Sequence, residues 1–211
     1  MSSPAKLVRL VVVVVALIYS FALYSNGLQF NDQTGRILAL LPTASVVCVI
    51  LWDLYALKSR SIAKFFKRPR IDGLWLLTLR PSPESQIPKG GNRGPIKAYA
   101  VIKQSFWSLH ITQFTVESTS ESISHSWHIP LDGGPVVLNY IYSNVPKERH
   151  AERSVRSNGS SAISFRLFTP NELEGTYFTD RYTKGDIEMS LISRRHEFNS
   201  FKECDRSVPK A

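Results

Sequence analysis

Two long apolar segments open the chain. The first, Leu7–Tyr24, contains a single charged residue, Arg9, and the second is Ile37–Leu57. As helices that rise about 1.5 Å per residue, both are long enough to cross a hydrocarbon layer of roughly 30 Å. The pattern predicts two transmembrane helices, residues 7–24 and 37–57, that form a hairpin anchor over residues 7–57.

A basic run follows the second apolar segment and orients the anchor. Residues 58–70 carry six Lys and Arg side chains and no acidic residue. Cationic loops stay on the cytoplasmic side of a membrane, so we expect residues 1–6, this basic linker and the C-terminal part to be cytoplasmic. The short connector Ser25–Arg36 is then the outside loop. A cleaved signal peptide in place of the first helix is the alternative, although no small-x-small cleavage site stands out.

The second apolar segment carries an acidic residue, Asp53, directly after Trp52. One interpretation places Trp52, Tyr55 and Lys58 at the level of the lipid head groups, with Asp53 reaching water. The other makes Asp53 an intramembrane polar group that matters when several anchors pack together. Pro42 is expected to kink the same helix.

Residues 71–200 change to short alternating runs, rich in β-branched and aromatic residues and separated by Gly, Pro, Asn and Asp. This pattern is typical of β-strands. The predicted strands are Asp72–Arg80, Ile96–Gln104, Phe106–Thr115, Ser120–Ile129, Val136–Asn144, Ala162–Thr169, Leu173–Arg181 and Asp186–Ser193. Eight successive strands favour an up-and-down antiparallel, lipocalin-like β-barrel, because closure removes exposed strand edges. A two-sheet sandwich is the alternative.

The domain organisation that follows is a membrane-anchored all-β protein. Two N-terminal transmembrane helices and the basic linker precede a barrel over residues 71–200. The tail, residues 201–211, mixes charges and is expected to be partly ordered at best.

The sequence motifs argue against catalysis. The chain has no glycine-rich phosphate loop, no G-x-S-x-G motif and no paired-carboxylate signature. The spacing of His125 and His128 puts them on opposite faces of a strand, which does not suit shared metal ligation.

The net charge of +9 reflects in large part the basic run, which anionic lipid attracts. We therefore expect membrane lipid as a partner, and no enzyme activity, metal, cofactor, or DNA or RNA polymer.

The seventh predicted strand carries candidate ligand-binding residues. Alternation puts Tyr177, Thr179 and Arg181 on one face. If that face is the barrel interior, Arg181 needs an anionic partner, because an unpaired buried charge is costly. Aromatic side chains along the predicted strands can stack on bases. The pattern therefore points to a ligand that carries phosphate.

Two local motifs carry a family resemblance. The G-x-W of Gly73–Trp75 opens the first strand and is similar to the opening strand of lipocalin-like barrels, and Gly175–Gly185 reads as a G-x-Y-x-T-x-R…G hairpin. Together with the two leading apolar segments, this order resembles the SMODS-associated two-transmembrane, β-strand-rich effectors of bacterial cyclic-oligonucleotide anti-phage signalling (CBASS).

The resemblance implies a bacterial inner-membrane effector with cytoplasmic N- and C-termini. Its barrel would bind a cyclic dinucleotide made by a cognate nucleotidyltransferase, assemble into a homo-oligomer and disrupt the inner membrane, so that the infected cell dies. On the motif, Tyr177, Thr179 and Arg181 are the ligand-binding candidates, with Trp75 and Trp107 as further candidates for the cavity wall. Two alternatives stay open: a membrane-tethered lipocalin-like module for an apolar ligand, and a non-enzymatic scaffold with a solid barrel.

Overall fold

The chain divides into two units. The computed structural model describes residues 4–25, 32–87, 90–130, 132–150, 155–166 and 169–208. One unit comprises Met1–Ile62 with the loop Ser105–Ser108, and the other comprises Ala63–Gln104 and Leu109–Ala211.

Two long helices dominate the first unit. Helix α1 spans Pro4–Ser25, and α2 spans Asp32–Tyr55 with Pro42 inside it. A 3₁₀ turn, Ala56–Lys58, continues the chain to α3, Arg60–Phe65. Helices therefore occupy both apolar segments, and residues 26–31 of the predicted connector lie outside the described part of the chain. Among the described residues, no helix combines the length and the apolar character needed to cross a membrane.

Asp53 has local partners that neither sequence interpretation included. Its carboxylate Oδ1 accepts the backbone N–H of Trp107 at 3.1 Å, and its carbonyl accepts the backbone N–H of Phe106 at 3.0 Å. The rings of Trp52 and Phe106 meet edge to face with centroids 5.5 Å apart. Within the first unit, Asp53 therefore holds the loop Ser105–Ser108 through hydrogen bonds.

The second unit is a closed, antiparallel, up-and-down barrel of eight strands, as predicted. Its strands are β1 Gly73–Pro81, β2 Ile96–Gln104, β3 Leu109–Phe114, β4 Ser118–His128, β5 Val136–Pro146, β6 Ser157–Phe165, β7 Glu172–Thr179 and β8 Lys184–Ser193. Each strand pairs with the next, and β1 also pairs with β8 to close the sheet. This closure rules out the two-sheet sandwich.

Several strand ends differ from the predicted ones, and two strands differ most. Strand β3 begins at Leu109, not at Phe106, because the preceding loop belongs to the first unit. Strand β6 begins at Ser157, five residues before the predicted Ala162, although its first residues resemble a turn. The ring of Tyr142 lies over Gly159, where an added Cβ would come within 2.3 Å of that ring. The Tyr142 ring occupies the space that a side chain at position 159 would need, which explains the glycine in this strand.

The end of the barrel formed by the start of β1 is filled with apolar side chains. Trp75 is fully buried there, and its Nε1 donates to the carbonyl of Ile71 at 2.9 Å. Inward-facing positions of the neighbouring strands complete this core: Leu77, Ala98, Ala100, Ile102, Leu109, Ile111, Leu138, Ile163, Phe165, Leu173 and Met189.

The described part of the tail contains a docked helix that the sequence analysis does not predict. Helix α4 spans Phe201–Ser207, and Ser200 caps it by accepting the N–H of Glu203 at 3.3 Å. Cys204 on this helix is fully buried. It packs on the outer face of β1 and β2, in a cluster with Leu74, Tyr99, Val101 and Phe114.

We expect Trp75→Ala to lower the free energy of unfolding of the barrel by about 3–5 kcal/mol, because the cavity left in a packed core is only partly refilled. Urea unfolding of the full chain in detergent, followed by circular dichroism, measures this loss. Trp107→Ala is the matched control, since Trp107 lies in the loop of the first unit. Equal losses for the two variants would contradict this description of the core.

Candidate ligand-binding site

The end of the barrel opposite Trp75 contains a cavity. In an up-and-down barrel, the ends of odd-numbered strands and the starts of even-numbered strands share one rim. The cavity at this rim has a volume of about 520 Å³ and is lined from all eight strands. One residue from each strand, in order, is Leu79, Ile96, Gln113, Ser120, Tyr142, Ser157, Tyr177 and Ile187. The barrel is therefore solid at one end and open at the other.

Small polar side chains line much of this cavity. Ser120, Ser157 and Ser161 are buried, and the hydroxyl of Ser120 donates to Oδ1 of Asn144 at 2.9 Å. These serines occupy inward-facing strand positions at the open end of the barrel. At the filled end, the inward-facing positions carry large apolar side chains instead. The difference in side-chain volume between the two ends leaves the space, and the hydroxyl and amide groups make it suitable for a polar ligand.

Gln113 and Tyr142 line the cavity, and Tyr140 lies buried beside them. The amide Nε2 of Gln113 donates to the hydroxyl of Tyr140 at 2.5 Å, and the rings of Tyr140 and Tyr142 lie 6.0 Å apart. Burial raises the pKa of Tyr140 to about 12, against the opposing effect of the nearby Ser161 and of the hydrogen bond from Gln113. Burial also raises the pKa of Tyr142. Both phenols are therefore neutral at physiological pH, and the Tyr140 hydroxyl is engaged by Gln113.

The turn between β7 and β8 brings Arg181 to the rim. The hydroxyls of Thr179 and Thr183 are 2.6 Å apart, and Oγ1 of Thr179 accepts the backbone N–H of Arg181 at 3.3 Å. Tyr182 adopts a left-handed conformation with φ 57°, which reverses the chain. On the outer side, the Asp180 carboxylate accepts the N–H of Asn158 at 2.9 Å. Thr179 thus organises the turn that carries the guanidinium.

The first part of the β1–β2 loop is attached to the same turn. The N–H of Gln86 donates to the carbonyl of Tyr182 at 3.1 Å. The Ser85 hydroxyl donates to the carbonyl of Lys184 at 2.5 Å and accepts the Lys184 N–H at 2.9 Å. Further along this loop, Ile87 and Asn92 line the cavity. The loop therefore supports the Arg181 turn and forms part of the cavity wall.

The structure brings three of the five predicted site residues together. Tyr177, Thr179 and Arg181 all line the cavity, on the shared face that alternation predicted. Trp75 and Trp107 do not line it, so their prediction as cavity wall is wrong. Trp75 lies in the filled end, and Trp107 lies in the loop held by Asp53.

Sequence reasoning missed most of the polar lining. Gln113, Asn144, Ser161 and Lys97 were not candidates, yet each contributes to the cavity. One usable signal was Gln113, a polar residue in the inward register of Leu109 and Ile111. Serines on a strand carry no comparable signal, because they are equally common on solvent-facing positions.

The described residues that line the cavity include two cations, Arg181 and Lys97, and one carboxylate, Glu117. Burial by the surrounding wall raises the pKa of Tyr177, so this phenol is also neutral at physiological pH. A rim with a guanidinium and tyrosine rings suits a ligand with phosphate groups and aromatic bases.

A closed barrel whose cavity presents hydroxyl, amide and cationic groups at one end is suited to bind a small ligand. Residues 66–190 match the family model described as Cap15, cyclic dinucleotide receptor domain. The match covers more than half of the chain and includes β1 to β7 and most of β8. The chain belongs to this family, and its barrel is the cyclic dinucleotide receptor domain of a CBASS effector. No curated protein matches the chain.

We expect the barrel to lose stability as the pH rises from about 10 to about 12. The pKa of Tyr140 is raised from 10.0 to about 12, so in this window the folded state retains a proton that the unfolded state releases. Stability from this group is complete below the unfolded pKa and is lost as the pH approaches the folded pKa, by an amount on the order of 3 kcal/mol.

Urea midpoints of the full chain across this pH range measure the loss. Tyr140→Phe should flatten the decline, whereas Tyr182→Phe, at a 73 % exposed position, should leave it unchanged. An identical decline in wild type and Tyr140→Phe would show that this phenol is not protected by burial.

Proposed function

We propose that this protein is a membrane-attached CBASS effector whose barrel binds a cyclic dinucleotide in the cavity at the rim. The observation that carries the proposal is the polar cavity with Arg181 at its edge, in a barrel of the cyclic dinucleotide receptor family. On this proposal the chain acts through binding and assembly and performs no chemistry of its own.

The size and lining of the cavity support this ligand class. Its volume of about 520 Å³ lies in the range of small-molecule sites. Arg181 is suited to bidentate pairing with a phosphate. Tyr177 offers a half-buried ring for a base, and stacking on an aromatic ring contributes on the order of 1–3 kcal/mol per base. Thr179 acts mainly through the turn, since its hydroxyl already serves Thr183 and Arg181.

The same lining disfavours the two alternative functions. An apolar ligand would leave the buried hydroxyl of Ser161, which has no hydrogen-bond partner among the described residues, facing hydrocarbon, which is costly. A solid scaffold would not contain a cavity of this volume. A cyclic dinucleotide instead supplies hydroxyl, phosphate and base groups to these polar atoms.

Ligand binding is proposed to favour assembly into a homo-oligomer. A ligand shifts such an equilibrium only by its differential affinity for the two states, and a shift from about 1:99 to 99:1 requires roughly 5.5 kcal/mol. Several protomers each add their own ligand contacts, so the total is reached within a multimer. Assembly would then gather the N-terminal segments and disrupt the membrane, which kills the infected cell.

Membrane attachment is proposed from the sequence of the N-terminal part. Residues 7–24 and 37–57 are apolar, and the cationic residues of 58–70 suit anionic lipid on the cytoplasmic face. The proposed location is the bacterial inner membrane, with both termini in the cytoplasm.

We expect Arg181→Ala to weaken cyclic dinucleotide binding by about tenfold or more, because it removes a charge-assisted hydrogen bond to phosphate. Calorimetric titration of the full chain in detergent with a panel of cyclic dinucleotides measures the affinity. Growth of cells that also express a cognate nucleotidyltransferase measures killing, which should fall in parallel.

Arg195→Ala is the matched control, because Arg195 is exposed and its loss changes the net charge equally. Arg181→Lys should restore part of the affinity, since the charge remains without the planar fork. Wild-type affinity and killing in Arg181→Ala would refute the assignment of the site. Failure of the wild-type chain to bind any cyclic dinucleotide would refute the proposed function.

We expect the full chain to sediment with inner membranes and to resist extraction by alkaline carbonate, because spanning segments are held by apolar burial and not by charge. Release by carbonate or high salt would instead indicate attachment through the basic run alone. Recovery in the soluble fraction would contradict membrane attachment.

A further inference from the structure

Two adjacent aromatic side chains at the end of α3 are exposed. Phe65 is 81 % exposed and Phe66 is 45 % exposed, and their rings meet edge to face with centroids 5.0 Å apart. Adjacent exposed rings are more typical of an interaction surface than single exposed apolar side chains are. Both residues belong to the second unit, together with the barrel.

The helix end that carries these rings has a defined geometry. Lys67 adopts a left-handed conformation with φ 49°, and its N–H donates to the carbonyl of Lys64 at 3.1 Å. The N–H of Arg68 donates to the carbonyl of Ala63 at 2.8 Å. Together these features form a Schellman motif, which ends a helix at a fixed turn. The rings are therefore presented by the segment Lys64–Lys67, which we call the aromatic turn.

The aromatic turn is attached to the filled end of the barrel. Pro69 and Ile71, which follow it, are fully buried. Gln104 at the end of β2 holds both, since its Nε2 donates to the carbonyl of Pro69 at 2.7 Å and its Oε1 accepts the N–H of Ile71 at 2.8 Å. Ile71 also accepts the indole N–H of Trp75. Because only Arg68 separates the turn from Pro69, these contacts fix the turn to the filled end.

The charge around the aromatic turn is positive. Lys64 and Lys67 flank the two rings, and both are exposed. Neither lysine forms an ion pair with a described residue. Residues 54–71 contain no Asp or Glu, and the next acidic residue, Asp72, pairs with Arg70 at 2.6 Å. Exposed rings between two cations match an anionic lipid surface, which attracts Lys and accommodates apolar rings at its interface.

We infer that the aromatic turn is a membrane contact of the receptor domain. Phe65 and Phe66 enter the interface of an anionic leaflet, and Lys64 and Lys67 meet its head groups. Only residues 58–64 lie between Phe65 and the second apolar segment, which keeps the turn within reach of the lipid. The inference extends the proposed membrane attachment to the barrel itself and does not require a ligand.

This contact sets the direction in which the cavity opens. Strand β1 runs from Gly73 at the filled end to Pro81 at the rim. In a barrel whose strands tilt by about 40°, nine residues span about 20 Å along the axis. With the filled end beside the lipid, the rim and Arg181 face away from the bilayer. A soluble ligand then reaches the cavity without crossing the lipid surface.

Fluorophores at single cysteines test the contact in the full chain, reconstituted into phosphatidylcholine vesicles with and without phosphatidylglycerol. In a Cys48→Ser background, the remaining cysteine, Cys204, is fully buried. Phe65→Cys carries an environment-sensitive fluorophore at the aromatic turn. Phe178→Cys is the matched control, because it replaces a phenylalanine that is 62 % exposed on β7, next to the rim.

With phosphatidylglycerol present, a quencher on the lipid acyl chains should lower the emission of the Phe65→Cys label by about twofold or more, since interfacial side chains lie about 5–10 Å deep. The Phe178→Cys label should instead be quenched by iodide in the water. Lys64→Gln should weaken the lipid quenching at position 65, because it removes one cation at the surface. Lys202→Gln, which removes an exposed lysine of α4, should leave that quenching unchanged.

A Phe65→Cys label that iodide quenches as fully as the control label would overturn the inference, because the side chain would then lie in water. Shielding from both quenchers would also overturn it, since protein, either the N-terminal segment or a second copy, would then cover the turn. Equal lipid quenching with and without phosphatidylglycerol would refute an anionic surface as the partner. These outcomes leave the proposed ligand binding standing. A full chain that does not stay with the vesicles would refute the proposed membrane attachment and the inference with it.

Discussion

The pairing of β1 with β8 is the constraint on which the rest of the structure depends, because it turns a meander into a closed wall with an interior. Gly73 permits this closure. Its φ is +131°, and an added Cβ would lie 2.4 Å from the carbonyl oxygen of Ser193 on β8. Two residues later Trp75 fills the interior beside this junction. The G-x-W motif therefore combines a close backbone approach with the largest side chain of the closed end.

The cavity follows from how side-chain volume is distributed along the strands. Eight strands enclose an interior that side chains can just fill. At the Trp75 end they do so. At the other end β6 contributes Ser157, Gly159 and Ser161 to the inward face, and the ring of Tyr142 uses the space above Gly159. Arg181 then reaches the rim on a turn that Thr179 and the β1–β2 loop hold in place. The space in the cavity thus depends on small residues within the wall, and the charged group lies at its edge.

Alternation within single strands was enough to predict the eight-stranded barrel and the shared face of Tyr177, Thr179 and Arg181. Alternation alone could not predict which end of the barrel is filled, because that depends on the register between strands. For this reason the sequence analysis places Trp75 in the cavity wall, whereas the side chain lies in the filled end. Trp107 fits the alternation of β3, but hydrogen bonds to Asp53 hold it in a loop before the strand begins. Helix α4 is short and owes its position to packing of Phe201 and Cys204. Local propensity does not indicate such a helix.

The wall of the barrel is not equally strong around its circumference. Strands β3 and β4 pair only over Thr112–Phe114 and Thr119–Glu121. Just beyond, the N–H of Ile111 donates to the side-chain hydroxyl of Ser122 at 2.9 Å. Segments with few backbone hydrogen bonds open at lower free energy than the rest of a domain. The paired residues Gln113 and Ser120 line the cavity, so the wall is continuous at the rim, and the loosely paired part of this seam lies toward the filled end.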